Sequence, residues 1–170
     1  MRQEKVQTMR SRSAVGGLAL FLLSCASAAS FEWGHYANAR FGYSVDIPPE
    51  FSTVAESDNS DGGMSQSQDK LSQLAVWGAN LLEGDLAADF AARLDDAVAD
   101  GWTISYRRET EKWASWSGSQ HGRIFYARAI KLCDDQAAYF LIEYPKARKV
   151  SFDPVIKRLV KSLKNAQDCG

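Results

Sequence analysis

The sequence predicts an α+β domain in which an antiparallel sheet carries packed helices. Strand-like segments precede a helix-like segment near residue 90, and four more strand-like segments separate it from a second helix-like segment near the C-terminus. Short connections with turn residues join those four strands, which favours an antiparallel meander. Strands and helices that group in this way are typical of the α+β class.

Residues 1–29 have the three parts of a secretory signal peptide. Four basic residues precede a short apolar run at 15–23, and Ala26-Ser27-Ala28 has the small-residue pattern of a cleavage site. The run is about half of the roughly 20 apolar residues that a membrane-spanning helix needs, which argues against a membrane span. We therefore predict removal of residues 1–29, which leaves a single domain at 30–170.

A lipid anchor is the alternative use of this segment. Leu22-Leu23-Ser24-Cys25 resembles the lipobox of bacterial lipoproteins, although Leu23 stands where those proteins usually have a small residue. Cleavage near Ala28 is the preferred interpretation, and lipidation of Cys25 stays open. Both interpretations place the domain outside the cytoplasm, in the periplasm or secreted.

The charge of the predicted domain argues against a nucleic-acid partner. Residues 30–170 hold 16 basic and 20 acidic residues, a net charge of −4, whereas nucleic-acid binding depends on phosphate neutralisation. The net charge is −10 over residues 30–100 and +6 over residues 101–170. Either the halves interleave and cancel, or the domain has an acidic and a basic surface that steer a charged partner.

The elements of the first half follow from local patterns. YSVDI at 43–47 alternates as a half-buried strand does, and two prolines end it. MSQSQ and LSQLAVWGA, separated by Asp69-Lys70, indicate a hairpin. Leu86 and Phe90 then share a helical face, with Asp85 as the cap and Gly101 as the stop.

Four strands and a helix complete the second half. The strands are WTISYRRE, KWASWSGS, RIFYARAIKL and AAYFLIEY. Trp113 and Trp116 face opposite sides of their strand. Both belong to the core if helices cover both faces, which is the preferred interpretation, and one becomes a stacking platform if one face is partly open. Asp153 is expected to cap the last helix, with Pro154 at its first position.

Several segments resemble known families. FGYSVDIPPEF, IEYP and DPVIKRLVKSL look like the PsbP-like fold, an α/β/α sandwich around an antiparallel sheet. NARFGYSVDIPPEF, ESDNSDG, VWGAN and GRIFY are similar to an uncharacterised family of exported proteobacterial proteins. The resemblance covers most of residues 36–165. It implies an exported assembly or binding module rather than an enzyme.

Two polar segments are candidate binding sites. The loop ESDNSDGG offers the oxygens of Asp58, Asn59 and Asp61, which suit a partner, a calcium ion or only solvent. Its spacing does not fit an EF-hand, so no metal is assigned. The basic tail places Lys157, Lys161 and Lys164 on one predicted helical face, which is either solvated or a contact for an acidic protein or anionic lipid.

One disulfide is expected, between Cys133 and Cys169. If Cys25 leaves with the signal peptide, these two cysteines remain in an oxidising compartment. Cys133 ends a strand at the rim of the sheet, and the last helix is about one strand long, so it returns the chain toward that rim. The alternative is a buried Cys133 and a frayed Cys169.

These observations favour a non-catalytic binding or assembly module with an unknown protein partner and no cofactor. Neither histidine, His35 or His121, has Ser or Asp at the spacing of a known catalytic motif. The alternative is a small-ligand-binding or hydrolase-like protein with a pocket that no motif reveals.

We expect residues 1 to about 29 to be absent from the mature protein, because a signal peptidase removes such segments. Intact-mass measurement of the exported protein checks this. A mass that begins at Met1 contradicts cleavage, and a diacylglyceryl adduct on Cys25 selects lipidation instead.

Overall fold

The computed structural model describes residues 32–82 and 85–169, so the predicted signal peptide and Cys25 lie outside the described residues. The first strands are β1 (Gly34–Asn38), β2 (Tyr43–Ile47), β3 (Ala55–Glu56), β4 (Gly62–Gln66) and β5 (Gln73–Asn80). Helix α1 (Leu86–Ala99) precedes β6 (Thr103–Glu109), β7 (Trp113–Gln120), β8 (Arg123–Lys131) and β9 (Gln136–Pro145). A 3-10 turn at Lys146–Arg148, α2 (Lys149–Ser162) and β10 (Lys164–Asn165) follow.

The α+β class is confirmed, but the strands form two antiparallel sheets where one was expected. The large sheet has the order β3-β4-β5-β9-β8-β7-β6, and β1, β2 and β10 form a small sheet. Strand β2 is central in the small sheet, because β1 and β10 pair with its two edges. A strand as short as β10 has no sequence signature, since it exists only through this pairing.

The large sheet is covered on both faces, as in an α/β/α sandwich. Along β9, Tyr139 contacts the α1 side, whereas Phe140 and Ile142 contact the α2 side, and all three are fully buried. Each such side chain contributes roughly 1.5–3 kcal/mol through burial. No helix of the described residues has the length and apolarity needed to cross a membrane.

Helix α1 begins and ends where the sequence predicts. The carboxylate of Asp85 accepts a hydrogen bond from the Ala87 amide at 2.8 Å and so caps the N-terminus. Leu86 and Phe90 are buried against the large sheet. Gly101 follows the helix with φ of +89°, a conformation that favours glycine.

The small sheet and α2 together cover the other face. Strand β2 is more buried than a half-buried strand, since Tyr43, Ser44 and Val45 are all inaccessible to solvent or nearly so. Phe41 precedes it and packs across β5 at Gly78, where a Cβ atom would lie 2.3 Å from the Phe41 ring. Only glycine at 78 permits this contact.

The predicted start of the last helix is wrong. Helix α2 begins at Lys149, so Asp153 is not its cap and Pro154 lies inside it. Phe152 stacks on Tyr144 with ring centroids 4.3 Å apart, which holds the extra first turn against β9. This packing offsets the backbone hydrogen bond that Pro154 cannot donate.

Cys133 and Cys169 form a disulfide in the structure, which supports the predicted pairing. Their Cα atoms are 5.5 Å apart, and 36 positions separate them in the sequence. The amide of Asn165, in β10, lies 3.2 and 3.1 Å from the two sulfur atoms. The bond ties the segment after α2 to the end of β8.

We expect a thiol reagent to find no free thiol in the denatured, unreduced mature protein. Closing a loop of this length stabilises by roughly 4 kcal/mol in the chain-entropy model, so C133S/C169S should unfold at lower urea concentration by up to that free energy. Two labelled thiols in the wild-type chain would show that there is no bond.

Candidate functional site

The predicted loop site is held by its own hydrogen bonds. Asn59 Nδ2 donates to Asp61 Oδ2 at 2.7 Å, and the Ser57 hydroxyl lies 2.9 Å from Asp61 Oδ1. Asp61 Oδ2 therefore accepts a bond within the loop, and Oδ1 shares the single Ser57 hydroxyl proton with Asn59 Oδ1 and the Gly62 carbonyl. Asp58 is exposed, and no hydrogen bond to its side chain is found in the described residues.

The backbone of this loop is fixed to the core. The carbonyl of Asp61 accepts from the Tyr43 hydroxyl at 3.1 Å and from the Gly78 amide at 2.8 Å. Asn38 Nδ2 donates to the Ser60 carbonyl at 3.0 Å. Within residues 32–82 and 85–169, no group of three or more His, Cys, Asp or Glu is placed to hold a metal ion. These contacts indicate a mainly structural role for Asn59 and Asp61.

The three predicted lysines lie along one groove beside α2, which we call the α2 groove. Its cavity measures about 670 Å³ and is lined by Lys157, Lys161, Lys164, Arg158 and His35, among others. The expectation that all three lysines share a helical face is wrong for Lys164. The helix ends at Ser162, and Lys164 instead lies in β10, opposite Ser44 of β2.

The α2 groove carries a net positive charge. Its acid, Asp46, is already engaged, since Arg158 Nε donates to it at 2.9 Å and His35 lies 3.4 Å away. In the described chain, no carboxylate lies within 4.0 Å of the ammonium groups of Lys157, Lys161 or Lys164. Three exposed cations therefore remain without a counter-ion.

The two helices carry opposite charge on opposite faces of the large sheet. Helix α1 contains three aspartates and one arginine, and aspartates flank it at both ends. Helix α2 contains three lysines, one arginine and one aspartate. The two helices belong to separate cores. The helices thus match separate acidic and basic surfaces, whereas the ion pairs Arg148–Asp69 and Arg158–Asp46 show that the two halves of the sequence also cancel in part.

A second cavity, of about 740 Å³, lies between α2 and strands β6, β7 and β8, and we call it the serine–tyrosine trough. The strands contribute Ser105, Tyr106, Ser117, Ser119 and Tyr126, and the α2 side contributes Lys146, Lys149, Asp153 and Lys157. Sequence analysis did not identify this site. The alternation of serines in WASWSGSQ is the signal that could have done so, because alternate residues of a strand share a face.

The buried tyrosines with strongly raised pKa values attach structural elements. Burial raises the pKa of Tyr43, whose hydroxyl donates to the Asp61 carbonyl, and of Tyr139, whose hydroxyl donates to Asp89 at 2.8 Å. Arg93 lies 4.2 Å above the Tyr139 ring and pairs with Asp89 at 2.7 Å. These groups join the loop and α1 to the core.

We expect D61A to lower the free energy of unfolding by about 1–2 kcal/mol, because it removes two side-chain acceptors from the loop. D58A is the matched control and should change it by less than about 0.5 kcal/mol. Urea unfolding measures both. Equal effects contradict the structural assignment, and a calcium-induced rise in wild-type stability that D58A/D61A loses would establish a calcium site.

The comparisons with known proteins concern the fold. No protein-family model matches the chain, and a search of curated proteins finds no match. Among solved structures, cyanobacterial PsbP (CyanoP) from Synechocystis is similar with a TM-score of 0.59 and 12% identity, over 84% of this chain and 97% of that one. The Ran-binding protein Mog1p of Saccharomyces cerevisiae has a TM-score of 0.59 and 10% identity, over 81% of this chain and 97% of its own. The predicted PsbP-like fold is therefore confirmed.

Proposed function

We propose that this protein is an exported, non-catalytic binding or assembly module that contacts an acidic partner protein through the α2 groove. The observation that carries the proposal is the set of three exposed lysines along one groove that have no counter-ion among residues 32–82 and 85–169. The functional unit is the single domain from residue 30 onward.

Two features support export. The first 29 residues have the order of a signal peptide, from basic residues through an apolar run to small residues. The pairing of Cys133 with Cys169 suits an oxidising compartment such as the periplasm or the extracellular space. A released protein is the preferred form, and a lipid anchor at Cys25 is the alternative.

The fold supports a protein partner by analogy. Mog1p, which has this fold, is named as a Ran-binding protein, so at least one neighbour uses the architecture to bind another protein. At 10% identity this likeness concerns architecture alone, and no residue of that protein is carried over.

The charge distribution favours an acidic protein over other partners. Exposed lysines in water contribute modest affinity, but they accelerate encounter with an acidic surface in a salt-dependent way. The acidic α1 lies on the other face of the large sheet and repels the same partner. The domain therefore presents one side to an acidic surface, which orients the encounter.

Charge reversal in the α2 groove should abolish partner capture. With a photo-crosslinking residue at position 161, we expect a discrete adduct in cells that K157E/K164E reduces at least tenfold, because two of the attractive charges become repulsive. The matched control, K70E/K112E, makes the same change in net charge at two exposed lysines elsewhere and should leave the adduct unchanged.

Mass spectrometry of the adduct identifies the partner and the contact peptide. An acidic contact peptide supports the proposal. No adduct at position 161, or equal loss of the adduct in both charge variants, contradicts an α2-groove interface. If the adduct is instead a phospholipid, the basic face binds membrane and the protein-partner proposal is wrong.

A further inference from the structure

One half-buried arginine lacks a counter-ion. Four arginines of the described chain are half-buried. Three form ion pairs, namely Arg93 with Asp89, Arg123 with Glu143 and Arg148 with Asp69. The fourth, Arg128 on β8, has no carboxylate of the described residues within ion-pair distance. A cation that is partly buried without a counter-ion lowers the stability of the fold. Its presence on this face therefore suggests a role other than stability.

Arg128 is held in one place by neutral neighbours. Its guanidinium lies 4.5 Å from the Trp113 ring centroid, and Nη1 donates to the Ser115 hydroxyl at 3.0 Å. Its Nε atom is buried and has no hydrogen-bond partner in the part of the chain that the structure describes. Burial lowers the pKa of Arg128, which reflects the cost of keeping this charge out of water. The side chain is thus oriented while most of its donors stay unused.

A second arginine contacts the same tryptophan. Arg108 of β6, Ser115 of β7 and Arg128 of β8 lie opposite one another in register, so their side chains share a face of the sheet. The Arg108 guanidinium lies 5.8 Å from the same Trp113 ring, and no described carboxylate pairs with it. The two arginines flank Ser115 in this cross-strand row, so both would attract an anion that lies above Ser115.

The row next to the arginines is aromatic and partly open. Tyr106, Ser117 and Tyr126 lie in register beside Arg108, Ser115 and Arg128. The two tyrosine rings are nearly parallel with centroids 6.4 Å apart, and Tyr106 is 43% exposed. They belong to the serine–tyrosine trough, whose acid, Asp153, is on α2 at the lysine-lined side. The arginines do not line the trough but lie one cross-strand row from these tyrosines, so an acid group on a ring held by Tyr106 and Tyr126 can extend to them.

We propose that Arg128 and Arg108 bind the carboxylate of a ligand whose ring lies against Tyr106 and Tyr126 in the serine–tyrosine trough. A guanidinium fork matches the two oxygens of a carboxylate, and tyrosine rings stack equally on aromatic and sugar rings. The ligand class is a ring that carries a carboxylate, either an aromatic acid or a uronic acid. The inference is independent of the α2 groove, since it uses none of its lysines.

The Nε–H signal of Arg128 in ¹H–¹⁵N spectra of the mature protein reports on this site directly, and its loss in R128K assigns it. We expect sodium benzoate or sodium glucuronate to shift it saturably, whereas benzamide, glucose and equimolar sodium chloride leave it in place. A larger response to benzoate indicates an aromatic acid, and a larger response to glucuronate indicates a uronic acid. If chloride produces the same shift, or if neither carboxylate produces one, the proposal is wrong.

Variants separate binding from a structural role. R128K keeps the charge but lacks the fork, so it should weaken benzoate or glucuronate binding at least tenfold, measured on the amides of β7 and β8. R107K is the matched control, because Arg107 lies next to Arg108 in β6 but faces the α1 side. R128M should change the melting temperature of the ligand-free protein by no more than a few degrees, because loss of the Trp113 and Ser115 contacts is offset by removal of a charge without a counter-ion. A fall of more than a few degrees, or unchanged binding by R128K, overturns the proposal.

Discussion

The burial of β9 on both faces is the constraint on which the remaining architecture depends. Tyr139 and Phe140 are adjacent and point to opposite sides, yet neither is accessible to solvent. Strand β9 pairs with β5 on one edge and with β8 on the other, so it lies inside the large sheet. Because its apolar side chains point to both faces, other elements must cover each face. Helix α1 provides one cover, and α2 with the small sheet provides the other.

The two covers leave part of the sheet open. Helix α2 packs on β2, β8 and β9, so its side of the outer strands β6 and β7 is only partly shielded. The side chains that face α2 change in kind at this boundary. Facing α2, β9 carries Phe140 and Ile142, whereas β7 carries Ser115, Ser117 and Ser119 at alternate positions. The trough lies where apolar cover ends and small polar side chains replace large apolar ones.

Local patterns predicted those elements whose causes are local. The cap at Asp85, the apolar positions Leu86 and Phe90 and the stop at Gly101 all lie within one segment, and α1 occurs where they indicate. Strand β10 and the first turn of α2 depend on partners in other elements, Ser44 for one and Tyr144 for the other. Ser44 is far from β10 in sequence, and Tyr144, although only eight residues before Phe152, belongs to a strand whose packing against α2 no residue pattern shows. These are the elements that were missed or misplaced.

The candidate sites also differ in whether the sequence alone reveals them. The lysines of the α2 groove were visible as a basic tail, because their surplus of charge is a property of a contiguous segment. Arg128 could not be recognised from the sequence, because its defining feature is that no carboxylate of the described residues lies near it in the folded structure. In sequence it resembles Arg123, five residues earlier on the same strand, yet Arg123 faces Glu143 and Arg128 does not. An unpaired charge can be recognised only after the fold has placed every possible partner.

The lysines of the α2 groove and Arg128 differ in solvent exposure. This difference suits them to different kinds of interaction. Lys157, Lys161 and Lys164 are exposed, so their field reaches a partner at a distance but is screened by salt. Arg128 is half-buried and fixed by Trp113 and Ser115, so it acts over a short range with strong directional preference. Lys157 borders both the α2 groove and the serine–tyrosine trough. An acidic partner that approaches α2 is therefore brought to the edge of the serine–tyrosine trough, and the two regions can serve one interface without sharing their chemistry.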